Sequence, residues 1–262
     1  MGPVRRPESF DEAADDYDAF RLPYPPEVVE AVVSAGRLGE TSRVLEIGCG
    51  TGQLSVDLAR RGCDLLALEM GSHLADHARR HLAPFPAARV EIGAFETWPL
   101  PDRRFDAVVA ASSFHWLEPA LRWTKAASAL RPGGALVVVS VHHVQGGTPG
   151  FFEDAQPIYR RWGLSDDSGF QLPAPEEAPL TYPEVEALAE LSDVERRRFE
   201  IPRTLSSASF VGWLRTDSLV ATAEPGDRTG FLRDIGDLID SKYGGEAARN
   251  WVYEVLIARR SA

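Results

Sequence analysis

The sequence predicts an α/β fold with a doubly wound parallel sheet, and three observations carry that prediction. From residue 43 onward, short apolar runs alternate with segments patterned as helices, the rhythm of strands joined by crossover helices. The first apolar run, Val44-Leu45-Glu46-Ile47, passes directly into Gly48-Cys49-Gly50-Thr51-Gly52 and then a helix, the strand–turn–helix entry on which such sheets seat ligands. Composition agrees: 262 residues, 44% hydrophobic and 26% charged, suit one large α/β domain or two small ones.

Taken in order, the stretch Ser9 to Pro26 is polar and aromatic, with Tyr17, Arg21 and Tyr24 at steps of four and three. Pro26 can open a helix with Val29, Val32 and Val33 on one face and Gly36 at its end. Val44–Ile47 is the first strand, and Leu54 and Leu58 mark the next helix. Asp64–Leu68 is the second strand and ends at Glu69; Ser72 is placed to cap a helix in which Leu74, Ala78 and Leu82 recur. Val90–Ile92 is a short third strand. Phe105–Ala111 is apolar throughout, as a strand covered on both faces should be. Pro119 to Leu130 reads as helix, Arg131-Pro132-Gly133-Gly134 as a turn and Ala135–Val141 as the fifth strand.

Then the rhythm stops. Residues 142–190 hold six prolines, with one helix candidate carrying Phe151, Ala155, Ile158 and Trp162. An insertion that long, still rich in aromatics, reads as a lid or wall. Val194–Ile201 is a strand, Ala208–Val220 and Asp227–Tyr243 are helices, and Trp251–Ala258 is a closing strand. The expected organisation is a single domain: an N-terminal cap (1–36), a cofactor-binding core (43–141), a helical insertion (142–190) and C-terminal strands and helices (191–262).

Charge and composition narrow the partners. With 28 basic and 39 acidic residues the net charge is −11, which repels phosphate backbones and disfavours nucleic acid. Arg196-Arg197-Arg198, the longest basic run, fits alternating faces of a strand better than a binding patch. No window approaches eighteen uninterrupted apolar residues, and the start MGPVRRPESF lacks an apolar signal core. Gly2 is followed by Arg6 where myristoylation requires Ser or Thr. A cytoplasmic location and no membrane partner are expected; no oligomeric state is assigned. Two cysteines, Cys49 and Cys63, make neither a disulfide framework nor a four-cysteine zinc site. His73, His77 and His81 step by four, a spacing open to metal, but no acid or cysteine accompanies them, and no metal is expected.

The glycine turn carries the chemistry. A plain strand-to-helix turn needs one glycine, and here there are three. The dinucleotide fingerprint requires a further glycine three places after Gly50, where Gln53 stands. Pyrophosphate thus loses its usual seat, and a cofactor without one gains weight. Glu69, seventeen residues after Gly52 at the end of the next strand, is a carboxylate positioned to accept both hydroxyls of a ribose.

These residues resemble class I S-adenosylmethionine-dependent methyltransferases. Val44 to Gly52 looks like their first motif, Gly93-Ala94-Phe95-Glu96-Thr97-Trp98-Pro99-Leu100 like the adenine-side loop, Phe105-Asp106-Ala107-Val108-Val109 like the fourth strand, and Leu130-Arg131-Pro132-Gly133-Gly134 like the turn into the fifth. Residues 10–142 carry the resemblance. Tyr17…Arg21-Leu22-Pro23-Tyr24-Pro25, Phe114-His115-Trp116-Leu117 and the tail from Thr204 to Arg260 resemble the type 11, trans-aconitate methyltransferase-like branch. The resemblance implies a Rossmann-like seven-stranded sheet whose last strand is antiparallel.

It also implies roles. Glu46 would steady the methionine end of S-adenosylmethionine, with Gly48, Cys49, Gly50 and Gly52 against it. Glu69 would bind the ribose and Met70 would pack on adenine. Ala94 stands where many relatives carry Asp, leaving the Phe95 backbone or Glu96 for the adenine amine. Ala111 and Tyr17 complete the cofactor set. On the acceptor side, Tyr24, Trp116, His142 and His143 are candidate substrate contacts. Arg21 is the candidate cation for an acidic acceptor and His115 the candidate base for a hydroxyl. The alternative for His115-Trp116 is an aromatic pair bracing a loop, and for Tyr17–Tyr24 a solvated turn. The function so implied is methyl transfer to a carboxylate, hydroxyl or amine of a small metabolite, releasing S-adenosylhomocysteine. Its rivals are a protein that binds the cofactor without transfer and a nicotinamide-dependent oxidoreductase.

Overall fold

Seven strands form one sheet: β1 (Arg43–Ile47), β2 (Asp64–Glu69), β3 (Ala88–Ile92), β4 (Phe105–Ala111), β5 (Leu130–Val144), β6 (Leu191–Ser206) and β7 (Glu246–Arg260), in the spatial order β3-β2-β1-β4-β5-β7-β6. β1 to β5 run parallel, and the last strand is antiparallel. The computed structural model describes residues 9–165 and 171–261. Gly2 and Arg6, and residues 166–170 of the 142–190 segment, lie outside the described residues.

β1 is buried along its whole length, and β2 and β4 nearly so, which accounts for their continuous apolar runs. β3 is a half-exposed edge strand carrying Arg89 and Glu91, the charged pattern expected of an edge. The helix Pro26–Gly36 forms as predicted, with Val28, Val29, Val32 and Val33 buried. The left-handed residue that ends it is Arg37 (φ 52°), one place beyond Gly36.

Several boundaries differ from the sequence reading. The helix expected over Pro119–Leu130 is shorter, Arg122–Ala129. Leu130 pairs with Phe105, and the next aligned pair is Ala107 with Ala135. Arg131-Pro132-Gly133-Gly134 is thus a bulge inside β5 rather than a turn before it. β6 and β7 extend well past Val194–Ile201 and Trp251–Ala258. The helix expected over Ala208–Val220 is two, Ser207–Arg215 and Ser218–Ala221, because Thr216 leaves the first and Asp217 caps the second through Leu219 N–H. Arg196, Arg197 and Arg198 each pair with an acid, Glu186, Glu195 and Glu254.

Two compact units divide the chain. A sheet unit comprises Pro23–His142, Pro179–Phe199 and Tyr253–Ala262; a helical unit comprises Met1–Leu22, His143–Ala178 and Glu200–Val252. The sheet unit has a core of Leu45, Ile47, Leu66, Phe105, Phe114 and neighbours. In the helical unit a chain of edge-to-face rings, Phe151–Phe210–Trp213–Trp251, links the helix Phe151–Arg161 to Ser207–Arg215 and β7, at 5.1, 5.5 and 5.5 Å between centroids.

Candidate active site

Strand register gathers several of the candidate residues at the carboxyl edge of the sheet. Ile47 lies beside Leu68, Glu69 beside Ile92 and Glu46 beside Val109. The residues that follow each strand therefore emerge together: Gly48 after β1, Met70 after β2, Gly93 after β3 and Ser112 after β4. This is the edge at which open α/β sheets bind ligands.

Gly48, Gly50 and Gly52 all have positive φ, 66°, 58° and 96°. At Gly48 a Cβ would lie 2.6 Å from the Ser113 Cβ, so both conformation and space demand glycine. Gly50 N–H donates to Glu69 Oε2 at 2.8 Å, and Gly71 N–H donates to Glu69 Oε1 at 2.9 Å. The Glu69 carboxylate, 6% exposed, thereby joins the glycine turn to the start of the helix Ser72–Leu82. Ser72 does not cap that helix as expected; it is the first helical residue, Gly71 precedes it, and no side chain caps the end. Both bonds are charge-assisted, a carboxylate accepting from backbone amides.

Glu46, 2% exposed, accepts one hydrogen bond from Ser55 Oγ at 2.6 Å. Burial pushes its carboxyl up from 4.5 to about 8, the Ser55 bond opposes this, and the Glu69 charge adds to it. Folded Glu46 therefore keeps its proton at pH values where the unfolded chain has lost it. Its stabilising contribution is complete below about pH 4.5 and is lost as pH rises through about 8. The expected slope from this one group is about 1.4 kcal/mol per pH unit in that window. Denaturant unfolding of the ligand-free protein from pH 5 to 8 should show stability falling more steeply in wild type than in Glu46→Gln. Equal slopes would refute the assignment. Burial likewise raises the Cys49 thiol well above its ordinary value, so it sits in the turn as a neutral side chain.

Around the turn, Met70 is exposed, 43% of its surface being open. The Ala94 carbonyl accepts from Thr97 and Trp98 N–H. Phe95 is buried beneath the Lys125 ammonium, 5.5 Å from its ring centroid. Glu96 Oε1 accepts from Glu118 N–H at 3.0 Å. Ala111 closes β4, buried. Ser112 has φ 55°, a conformation non-glycine residues adopt at a cost, and its Oγ accepts from the Tyr24 hydroxyl at 3.1 Å.

Phe114 is the anchor of the Phe114–Trp116 turn, edge-to-face with Trp123 (4.8 Å) and Tyr182 (5.4 Å). His115 is exposed, its ring 4.8 Å from that of Trp116. His142 Nε2 lies 3.2 Å from Thr181 Oγ1, and burial lowers its pKa. All these residues belong to the sheet unit. Tyr17, Arg21 and His143 belong to the helical unit. There the Arg21 guanidinium stacks 5.3 Å from the Tyr17 ring, and His143 meets Trp251 and Arg249.

Sequence reading missed three residues at this edge and read a fourth, His81, only as one of a metal-spaced series. Ser55 holds Glu46, Ser113 packs on Gly48, Ser112 supports Tyr24, and His81 Nδ1 lies 2.9 Å from the Thr51 carbonyl. For Ser112 and Ser113 the signal was available, since both follow a strand at its carboxyl end; Ser55 and His81 have none without the helices' packing. Among the described residues no group of three His, Cys, Asp or Glu is arranged to hold a metal, and no helix is long and apolar enough to cross a membrane.

The geometry is that of a Rossmann-like methyltransferase fold, and comparison with known proteins agrees. Residues 44–134 match the family model described as a methyltransferase domain. Over 131 residues the chain is 37% identical to an uncharacterized methyltransferase of Mycobacterium tuberculosis (strain ATCC 25618 / H37Rv), which covers 50% of this chain and 51% of that protein. The chain thus spans about half the length of the curated relatives it matches. Among solved structures, the [4+2]-cyclase SpnF shares the fold over 100% of this chain and 99% of its own, with TM-score 0.57 and 18% identity. The phosphoethanolamine N-methyltransferase 2 of Haemonchus contortus, in complex with phosphomonomethylethanolamine and S-adenosylhomocysteine, matches over 96% of this chain and 58% of its own, with TM-score 0.53 and 14% identity.

Proposed function

We propose that this protein transfers a methyl group from S-adenosylmethionine to a small organic acceptor, releasing S-adenosylhomocysteine. The observation that carries this reading is the glycine turn tied through Gly50 N–H to Glu69, within a segment that matches a methyltransferase domain. The residues fit the cofactor. Left-handed glycines leave the turn without Cβ atoms on the ligand side. Glu69, a carboxylate at the end of β2, is of the chemistry that accepts two ribose hydroxyls. Glu46, a buried carboxyl with no cation in ion-pair contact among the described residues, is suited to the α-ammonium of the methionine end, which would favour its ionised form. Exposed Met70 offers an apolar cover for adenine, and with Ala94 lacking a carboxylate, Glu96 or the Phe95 backbone is left to serve the exocyclic amine.

When bound, S-adenosylmethionine supplies a methyl group on a sulfonium centre, already a strong electrophile. The protein's part is to orient the acceptor and exclude water. A carboxylate acceptor has no proton to lose; a hydroxyl acceptor needs a base, for which exposed His115 is our candidate, and Arg21 is our candidate for gripping an acid. The acceptor contacts we assign to Tyr24, Trp116, His142 and His143, and the kinship with the trans-aconitate-like branch, belong to this same reading.

A screen of carboxylic acids, phenols and amines, read out as S-adenosylhomocysteine formed, tests it. Turnover of at least one class is expected, with the KM for S-adenosylmethionine raised about 10- to 100-fold in Glu69→Ala. Binding of the cofactor with no turnover of any class would favour the rival, a binding protein without transfer, for which the shared fold of a [4+2]-cyclase is the supporting observation.

A further inference from the structure

The chain has 26 arginines and two lysines, Lys125 and Lys242, so a lysine is the unusual choice of cation here. Lys125 lies in the sheet unit, on the helix Arg122–Ala129, whose Trp123, Ala126, Ala127 and Ala129 are buried. Its Nζ donates to the Glu96 carbonyl at 2.9 Å and to the Trp98 carbonyl at 2.7 Å. The same ammonium lies 5.5 Å from the centroid of the buried Phe95 ring. All three contacts fall on one loop, Gly93 to Leu100, which follows β3.

That loop contains a single tight turn, in which the Ala94 carbonyl accepts from Thr97 N–H at 3.1 Å and Trp98 N–H at 2.9 Å. A turn so short leaves its later carbonyls without partners inside it. Those of Glu96 and Trp98 converge on one point, and an ammonium with three rotatable donors serves both from there. A guanidinium spreads its donors over a wider, planar fork. The Phe95 ring takes another side of the cation. Glu96 is held a second time by the same stretch of chain. Its Oε1 accepts from Glu118 N–H at 3.0 Å, and the Glu118 carbonyl accepts from Leu121 and Arg122 N–H as the helix begins. At the far end of the loop, Trp98 Nε1 donates to Glu91 Oε2 of β3 at 2.9 Å. The loop is thus strapped to a packed helix and to the neighbouring strand. In the proposed complex it meets the adenine, and because Ala94 has no carboxylate, recognition falls to Glu96 and the Phe95 backbone, the atoms that Lys125 fixes.

The geometry points to Lys125 as a positioning residue for adenine recognition, acting through the Glu96 and Trp98 carbonyls to set the loop that meets the base. The inference rests on the proposed use of S-adenosylmethionine, which wild-type binding reads separately.

The test is isothermal titration of the full chain with S-adenosylhomocysteine and with S-inosylhomocysteine, in which a carbonyl replaces the exocyclic amine, using wild type, Lys125→Met and Lys125→Gln. Wild type should prefer the adenine ligand by about 10-fold or more, because an acceptor placed for an amine is left unpaired against a carbonyl. Lys125→Met should bind S-adenosylhomocysteine about 5- to 20-fold more weakly, and its preference for adenine should shrink to about threefold or less. Lys125→Gln, which removes the charge and shortens the stem, should show the same narrowing and carries the test if Lys125→Met does not fold. A role confined to stability would lower the Tm and leave the preference at its wild-type value; that result, or a wild type that binds both ligands alike, would overturn the proposal. A wild type inert to S-adenosylhomocysteine would overturn the methyl-transfer reading itself, and this inference with it.

Discussion

Gly50→Val is expected to abolish binding of S-adenosylhomocysteine while the ligand-free protein still unfolds cooperatively. Gly50 sits at φ 58°, where an L-residue pays about 1–2 kcal/mol and a β-branched one more. Relief of that strain requires the peptide to turn, which withdraws the Gly50 N–H from Glu69. Losing a charge-assisted hydrogen bond costs a further 1.5–3 kcal/mol or about that. Both are costs to the ligand-free chain; affinity falls because the turned peptide releases Glu69 and puts a branched side chain on the turn, and a loss of roughly 10²-fold or more is expected. The fold should survive because Gly50 is only half-buried and the sheet unit's core lies beneath it, in Leu45, Ile47, Leu66 and Phe105. Calorimetric titration of wild type and variant, with a melting curve of each, checks both halves. A variant that binds within a few-fold of wild type would show that the turn is not the cofactor seat.

Glu69→Ala should weaken S-adenosylhomocysteine by about 10- to 100-fold, the range for losing charge-assisted hydrogen bonds to two ribose hydroxyls. The ligand-free protein should also lose about 1–2 kcal/mol of stability, because Gly50 and Gly71 N–H both lose their acceptor. Glu69→Gln should not rescue binding. Both carboxylate oxygens accept backbone N–H groups, and an amide would set its own NH₂ against one of them. Rescue by Gln to near wild-type affinity would mean that the negative charge and the second acceptor are idle, contrary to the assigned role.

The parts of this protein that were legible in the sequence share a physical cause. β1, β2 and β4 are buried on both faces, so their apolar runs announce them, and the glycine turn is legible because three left-handed positions tolerate little else. Glu69 could be assigned from its place at the end of a strand, though not its hold on the Gly50 and Gly71 amides, which depends on how the side chain folds back. What escaped was set by tertiary pairing. Arg131 to Gly134 reads as a turn, yet Leu130 is drawn into the sheet by Phe105, and the four residues become a bulge. Ser72 has the chemistry of a cap but stands one place too far into its helix.

The central claim is that the edge formed by the glycine turn and Glu69 seats S-adenosylmethionine rather than a dinucleotide. Isothermal titration of the wild-type chain with S-adenosylhomocysteine and, separately, with NAD and NADP tests it most directly. The account predicts one S-adenosylhomocysteine bound per chain and no heat of binding with either dinucleotide. Saturable binding of NAD or NADP, with S-adenosylhomocysteine inert, would contradict it.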